Sequence, residues 1–344
     1  METRTLVKLG KSSTVVSLPK SWVDVMGLKR GDKVKIQRLG DGTLKIIPKG
    51  ITPSEGKKIK IDISKVSDKK LLERILMAYY LESADKISLF SSENDLEEVR
   101  KVANSFISQI GEGEIEEKEN ELSLVIDSTT EKFSMGQLIS EMFANLLSMF
   151  SGLRKLIETK DQGNKENILR FEEKVDLLYH FALRKLIKAQ VNRGIVKSMG
   201  LETPLWILGN RVVIKSIEQT ADALTGLIDV TISLLEGGIG RETEEALLDY
   251  IEEIEDLIPE AINCFREHDA YLAHSLFSRI KTIQTKIYEL QGKEKKNEAY
   301  CEFLTRLEVS LDSLFGTLEV VLNRSALGEP QIEGVEVLEL GSGD

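Results

Sequence analysis

Apolar and polar positions change their period twice along the chain. Residues 4–9 (RTLVKL) and 14–18 (TVVSL) are short β-branched runs joined by the turn-prone Gly10-Lys11-Ser12-Ser13, which predicts strand, loop, strand, ended by Pro19. In KSWVDVMGL the apolar Trp22, Val25 and Met26 recur at helical spacing, so a short helix is predicted, closed by Gly27. GDKVKIQRLGDGTLKIIPK then alternates on both sides of Asp41-Gly42, a strong hairpin signal. This first unit, residues 1–50, is small for a β-domain and has no cysteine to staple it, so dimerisation is the expected remedy.

Residues 51–56 (ITPSEG) read as a linker. Over 57–128 the pattern becomes KIKIDIS, a helix in SDKKLLERILMAYYLES, the strand KISLF, a helix in DLEEVRKVANSFISQI, and two strands in GEIEEKE and ELSLVID. This is a small α/β domain of order βαβαββ. It holds no Gly-rich phosphate loop, no paired acids at a strand end and no histidine, so it reads as a spacer or dimerisation element, with ligand binding as the alternative.

From 134 to 324 helical periodicity takes over, with Pro204 and Pro259 as its only prolines. Six segments are predicted, near 134–160, 164–191, 203–235, 241–267, 268–291 and 295–324, separated by DQGN, RGIVKSMG, EGGIG, an EHD junction and GKEKKN. They group as two sets of three of roughly 95 residues each, the mark of a tandemly duplicated three-helix bundle. Residues 325–344 form a C-terminal tail.

Composition narrows the class. A chain of 344 residues, 41% hydrophobic with 6 Pro, can bury several domain cores. No run approaches the roughly 18 apolar residues of a membrane span, and the N-terminus opens with Lys, Arg and Ser instead of an apolar signal core, so a cytoplasmic location without membrane insertion is expected. Cys264 and Cys301 lie far apart, outside any CxxC or Cys/His spacing. Charge is informative once divided: residues 1–60 hold 14 Lys and Arg against 5 Asp and Glu, net +9, and the remainder holds 32 against 52, net −20. Such asymmetry points to one end that meets a polyanion and another that stays solvated.

Three Glu-xxx-Asp pairs stand on the predicted helices: Glu172/Asp176, Glu218/Asp222 and Glu308/Asp312. Residues at i and i+4 share a helix face, so each pair sets two carboxylates side by side, mildly repulsive until a multivalent cation reverses the sign. The second and third pairs stand 90 residues apart at equivalent places, on apolar-rich third helices of their sets. Around the second set's middle helix, LFSRIKTIQTKIYEL, Lys281 lies near where a counterpart of Asp176 is expected, so the first site ranks above the second. His180, His268 and His274 have no second histidine at chelating spacing and read as structural or solvated. No nucleophile elbow, Walker loop or HExxH is present, which points away from an enzyme.

Two resemblances follow from these residues. Over 3–49, the order strand, Leu-Gly-Lys, strand, Leu-Pro-Lys, short helix, Gly-Leu, Lys-Arg-Gly-Asp, hairpin resembles the AbrB/SpoVT swapped-hairpin DNA-binding domain. That likeness implies a domain-swapped homodimer with Arg4, Lys8, Lys11 and Lys20 as DNA contacts, a task suited to phosphate-neutralising side chains. Over 134–324, the repeat length, helix order and acidic motif resemble the PhoU family. This implies metal held by Glu172, Asp176, Glu218, Asp222, Glu308 and Asp312, with iron, zinc or magnesium as examples of the cation. Lys215 matches a basic position of that family, implied to hold phosphate or pair with an acid. The wording of the motif departs from the usual one, reading Gln-Thr-Ala between Glu218 and Asp222 and Val-Ser-Leu between Glu308 and Asp312. Together the resemblances imply a multidomain, phosphate-responsive transcriptional regulator that binds DNA as a dimer. The alternatives are an adaptor to a phosphate transporter or sensor kinase that does not touch DNA, and a metal-dependent hydrolase.

Overall fold

The computed structural model describes residues 3–10, 13–38, 43–48, 57–66, 68–90, 97–118, 120–126, 133–191, 193–293 and 297–326. It divides into two units, Met1–Lys57 and Lys58–Asp344.

In the first unit the β-branched runs form two separate hairpins. Strands β1 (Val7–Leu9) and β2 (Ser13–Val15) pair antiparallel with Val7 opposite Val15, and β3 (Val34–Arg38) and β4 (Leu44–Pro48) with Ile36 opposite Ile46. Between them lies helix α1 (Lys20–Val25), entered from Pro19 and left through Gly27 at φ 62°, a left-handed conformation that suits glycine. The Asp32 carboxylate accepts from the Lys29 amide at 2.7 Å and closes the turn before β3. Lys11 and the Asp41-Gly42 turn lie outside the described residues. What the hairpins lack is cover. Val7, Leu9, Ile36 and Leu44 are 56%, 63%, 65% and 64% exposed, so each hairpin presents an apolar face to solvent.

The second unit begins with the expected α/β order: β5 (Lys57–Asp62), α2 (Lys69–Leu81), β6 (Ala84–Phe90), α3 (Glu97–Ile110), β7 (Glu114–Lys118) and β8 (Glu121–Val125). Asp68 caps α2 by accepting from the amides of Lys70 and Leu71. The sheet runs β5-β6-β8-β7, with β8 antiparallel to both neighbours. Alternation sends Ile87, Leu89, Leu122 and Leu124 into a core shared with Leu76, Tyr80, Phe106 and Ile110.

The helical part comprises α4 (Met135–Thr159), α5 (Gly163–Val191), α6 (Arg193–Ser198), α7 (Trp206–Gly237), α8 (Arg241–Glu267), α9 (Ala270–Lys293) and α10 (Glu298–Ser325). The first of these opens with a capping box, Ser134 and Gln137 each bonding the other's backbone. Helices α4, α5 and α7 pack as one set and α8, α9 and α10 as the other, as the repeat predicts. The sets share one continuous core, with α7 laid along α10. A Cβ at Gly209 would stand 2.7 Å from Val320, so glycine there lets the two helices approach. One predicted connector is itself helical. Within RGIVKSMG, α6 forms because Val196, Met199 and Leu201 reach the core, and Gly200 then turns the chain at φ 71°. The EHD junction is a tight corner in which His268 ends α8 at φ 57° and Asp269 accepts from the amides of Tyr271 and Leu272.

The α/β module is fastened to α5 by a buried cation. Arg184, 2% exposed, donates to the backbone carbonyls of Tyr80 and Ala84, the latter at 2.9 Å. Its guanidinium stands over the Tyr80 ring at 4.7 Å, 4.0 Å from the Glu112 carboxylate and 3.6 Å from Asp85. The Tyr80 hydroxyl donates to Glu112 at 2.8 Å, and burial, then the Glu112 charge, push its pKa far above the ordinary value.

Candidate functional site

Helical spacing on α5 brings Glu172 and Asp176 to one face, and α7 sets Glu218 and Asp222 against them. Glu172, Asp176 and Asp222 each offer a carboxylate oxygen within 4.8 Å of the others. Among the described residues no other group of three acids, histidines or cysteines is that close. Glu218 is not one of the trio; Lys215, one turn earlier, pairs with its carboxylate. Lys215 also lies 5.5 Å from the Tyr179 ring centroid.

The cost of this grouping shows in the proton affinities. Burial first, then the Asp176 charge, push the Glu172 carboxyl up to about 7. Burial and Asp222 raise Asp176 to about 6, and burial with Glu218 raises Asp222. An all-oxygen set of this kind suits a hard cation such as Mg²⁺, Ca²⁺ or Mn²⁺ and is a poor match for soft metals. His180, one turn beyond Asp176, is outside the trio, and burial lowers its pKa.

The raised carboxyls set a sign for stability. A carboxyl whose folded pKa is raised holds its proton in the folded state while the unfolded chain has lost it. Its contribution is therefore present below the usual carboxylate range and lost as pH rises through about 7. The metal-free protein is expected to gain more thermal stability between pH 7.5 and 5.5 than its Asp222→Asn variant does. Thermal unfolding of both proteins across that range checks this, and identical pH profiles would contradict it.

The second acidic pair is arranged differently. Asp312 on α10 accepts from the Gln284 amide of α9 at 2.8 Å, whereas Lys281 is exposed. The side chain bonded to Asp312 is thus a neutral amide, and among the described residues Glu308 and Asp312 do not join a third acid within 4.8 Å. Asp222 and Asp312 do share the lining of one shallow cavity of about 400 Å³, with Gln219, Val309 and Ser313. Sequence reasoning missed this adjacency, whose signal was the small residue at Gly209 that admits α10 beside α7.

The remaining groups are structural in their contacts. His268 lies edge-on to Trp206 at 4.7 Å and 3.5 Å from Arg324, which itself donates to Asn210 at 2.7 Å. Cys264 is buried, donates to the Asp269 carbonyl, and has its thiol pushed up to about 12 by burial. In the first unit Arg4, Lys8 and Lys20 are exposed, as are Lys29, Arg30 and Lys33 of the block that contains Lys-Arg-Gly-Asp. Lys11 lies outside the described residues. No helix among the described residues is long and apolar enough to cross a membrane.

Residues 7–54 match the family model for antidote-toxin recognition MazE, bacterial antitoxin. No curated protein matches the chain. Among solved structures it is similar to PhoU from Pseudomonas aeruginosa, at 13% identity and TM-score 0.45 over 54% of this chain and 93% of that one. It is also similar to the phosphate transport system regulatory protein PhoU from Streptococcus pneumoniae, at 14% identity and TM-score 0.43 over 56% and 95%. The chain thus carries a MazE/AbrB-like N-terminal domain, and its structural neighbours are PhoU proteins.

Proposed function

We propose that the protein is a dimeric regulator that grips DNA with its basic N-terminal hairpins and answers to a cation bound by Glu172, Asp176 and Asp222. The carrying observation is the pairing of two features in one chain: an N-terminal segment of net +9, and a trio of crowded carboxylates whose proton affinity is already raised. Long cationic side chains on an exposed hairpin face suit the phosphate backbone of DNA, which they neutralise with release of counterions. Burial and crowding raise the proton affinity of these acids, Glu172 to about 7, so a multivalent cation competes with protons for them. Dimerisation is supported by the uncovered apolar faces of both hairpins. The phosphate response belongs to the reading through the resemblance of residues 134–324 to PhoU, which also makes a transporter or sensor kinase the expected protein partner. This is a regulatory role, not a catalytic one.

A second reading keeps the dimer and drops the DNA: the same exposed apolar faces serve a unit whose sole task is to pair two helical domains that dock on a transporter or kinase. Fluorescence anisotropy with the protein's own promoter separates the two. DNA binding predicts a steep salt dependence, its log–log slope smaller by about 0.9 for every phosphate left without its lysine in a Lys8→Ala/Lys11→Ala variant. Equal, weak binding by both proteins favours the adaptor.

A further inference from the structure

We propose that the apolar outer face at the start of α7, formed by Leu205, Leu208 and Val212, is a docking surface whose occupant is this chain's own C-terminal segment, residues 332–340.

The first turns of α7 are apolar all round. Trp206, Ile207, Val213 and Ile214 are buried in the helical core. Leu205, Leu208 and Val212 recur at i, i+3 and i+7 on the opposite side, where they are 62%, 70% and 47% exposed. A helix with apolar residues on every side is one that is buried on every side, so this stripe calls for a cover. It is distinct from α7's contact with α10, which is made through Gly209 against Val320.

The course of α10 says what the cover is. Gly226 stands against Arg306, Gly316 against Ser216 and Gly209 against Val320, so α10 runs antiparallel to α7 and ends where α7 begins. Arg324 marks the same register, its guanidinium 4.7 Å from the Trp206 ring and donating to Asn210. The chain therefore leaves α10, after Ser325, at the Leu205 end of the stripe. Beyond it, outside the described residues, the segment 332–340 reads IEGVEVLEL, with the apolar Ile332, Val335, Val337, Leu338 and Leu340 interleaved with three glutamates and no base.

Reach and concentration both favour this occupant. From Ala326 to Ile332 the chain can span up to roughly 20 Å, whereas the stripe from Leu205 to Val212 is about 10 Å long. A short tether holds the segment at an effective concentration on the order of millimolar, above that of a second copy at micromolar protein. Charge is close to balanced at this end, Arg211 and Arg324 against Glu202 and Glu319, so apolar contact decides the docking and the tail's glutamates stay on its outer side. Any other protein that uses this face of α7 has to displace the tail.

Photocross-linking of the full-length chain carrying Leu208→p-benzoylphenylalanine tests this. Isotope-labelled and unlabelled chains are mixed, so that mass spectrometry separates contacts within a chain from those between chains. The same probe in place of Asn323, exposed on α10 and closer to the tail in sequence, measures what the tether alone produces. The probe at position 208 is expected to join residues 332–340 of its own chain more efficiently than the probe at 323, and a Leu338→Asp/Leu340→Asp variant is expected to lose that product. Products that join two chains overturn the proposal in favour of a contact between copies. A tail product undiminished in Leu338→Asp/Leu340→Asp, or no tail product at all, overturns it as well.

Discussion

Replacing Arg184 by methionine is expected to destabilise the second unit by about 3–5 kcal/mol, the range for removing one partner of a buried ion pair. The residue is 2% exposed, and the Glu112 side chain beside it is 1% exposed. Without the guanidinium, Glu112 keeps the Tyr80 hydroxyl as donor but loses the cation that offsets its burial, the Ala84 carbonyl loses the Arg184 donor, and the Tyr80 carbonyl is left with the Ser83 amide. The damage should be local. The α/β core and the helical core are separate clusters, so hydrogen exchange is expected to accelerate first in α2, β6 and β8 while α7 and α10 remain protected. Adding Glu112→Gln should recover part of the loss, because a neutral amide tolerates burial better than a carboxylate that has lost its neighbouring cation. A change under about 1 kcal/mol would show that the Arg184 anchor is dispensable.

The second large effect concerns the first unit. Ile36 and Leu44 lie on the same face of the β3/β4 hairpin, one residue pair apart, both nearly two-thirds exposed. Burying such side chains contributes about 1.5–3 kcal/mol each, and a symmetric partner doubles the number buried. The full chain is therefore expected to elute as a dimer in size exclusion with light scattering, and an Ile36→Asp/Leu44→Asp variant as a monomer. Its helical circular dichroism should be retained, since the helical core draws nothing from these residues. A wild-type monomer at micromolar concentration would sink the swapped-hairpin dimer.

The contrast between these two cases shows what the sequence could carry. Periodicity is a local property, and it placed the hairpins, the βαβαββ order and the long helices, including the corner at His268. The Glu172, Asp176 and Asp222 grouping was also legible, because i,i+4 spacing and a repeat put the acids on facing helices. Arg184 was not, since its partners lie about 70 to 100 residues away and no local pattern marks a lysine- and arginine-rich helix face as buried. Gln284 was hidden for a related reason: the register of α9 against α10 depends on packing, and a shift of three residues exchanges a lysine for an amide opposite Asp312. The pairing of Lys215 with an acid was within reach of spacing, though that Glu218 is not one of the trio needed coordinates. The helical character of α6 was masked because the polar residues of its segment hide the anchoring Val196 and Met199.

The acidic trio and the basic hairpins, on this reading, belong to one switch. Linkage makes that coupling measurable, because a cation that alters DNA affinity must itself be bound with an affinity that DNA alters by the same factor. The decisive measurement is promoter affinity with and without Mn²⁺, for the wild type and for Asp222→Asn. A change of at least about fivefold in the wild type, absent in the variant, is the predicted result. Promoter affinity that is the same with and without Mn²⁺ in the wild type would contradict it.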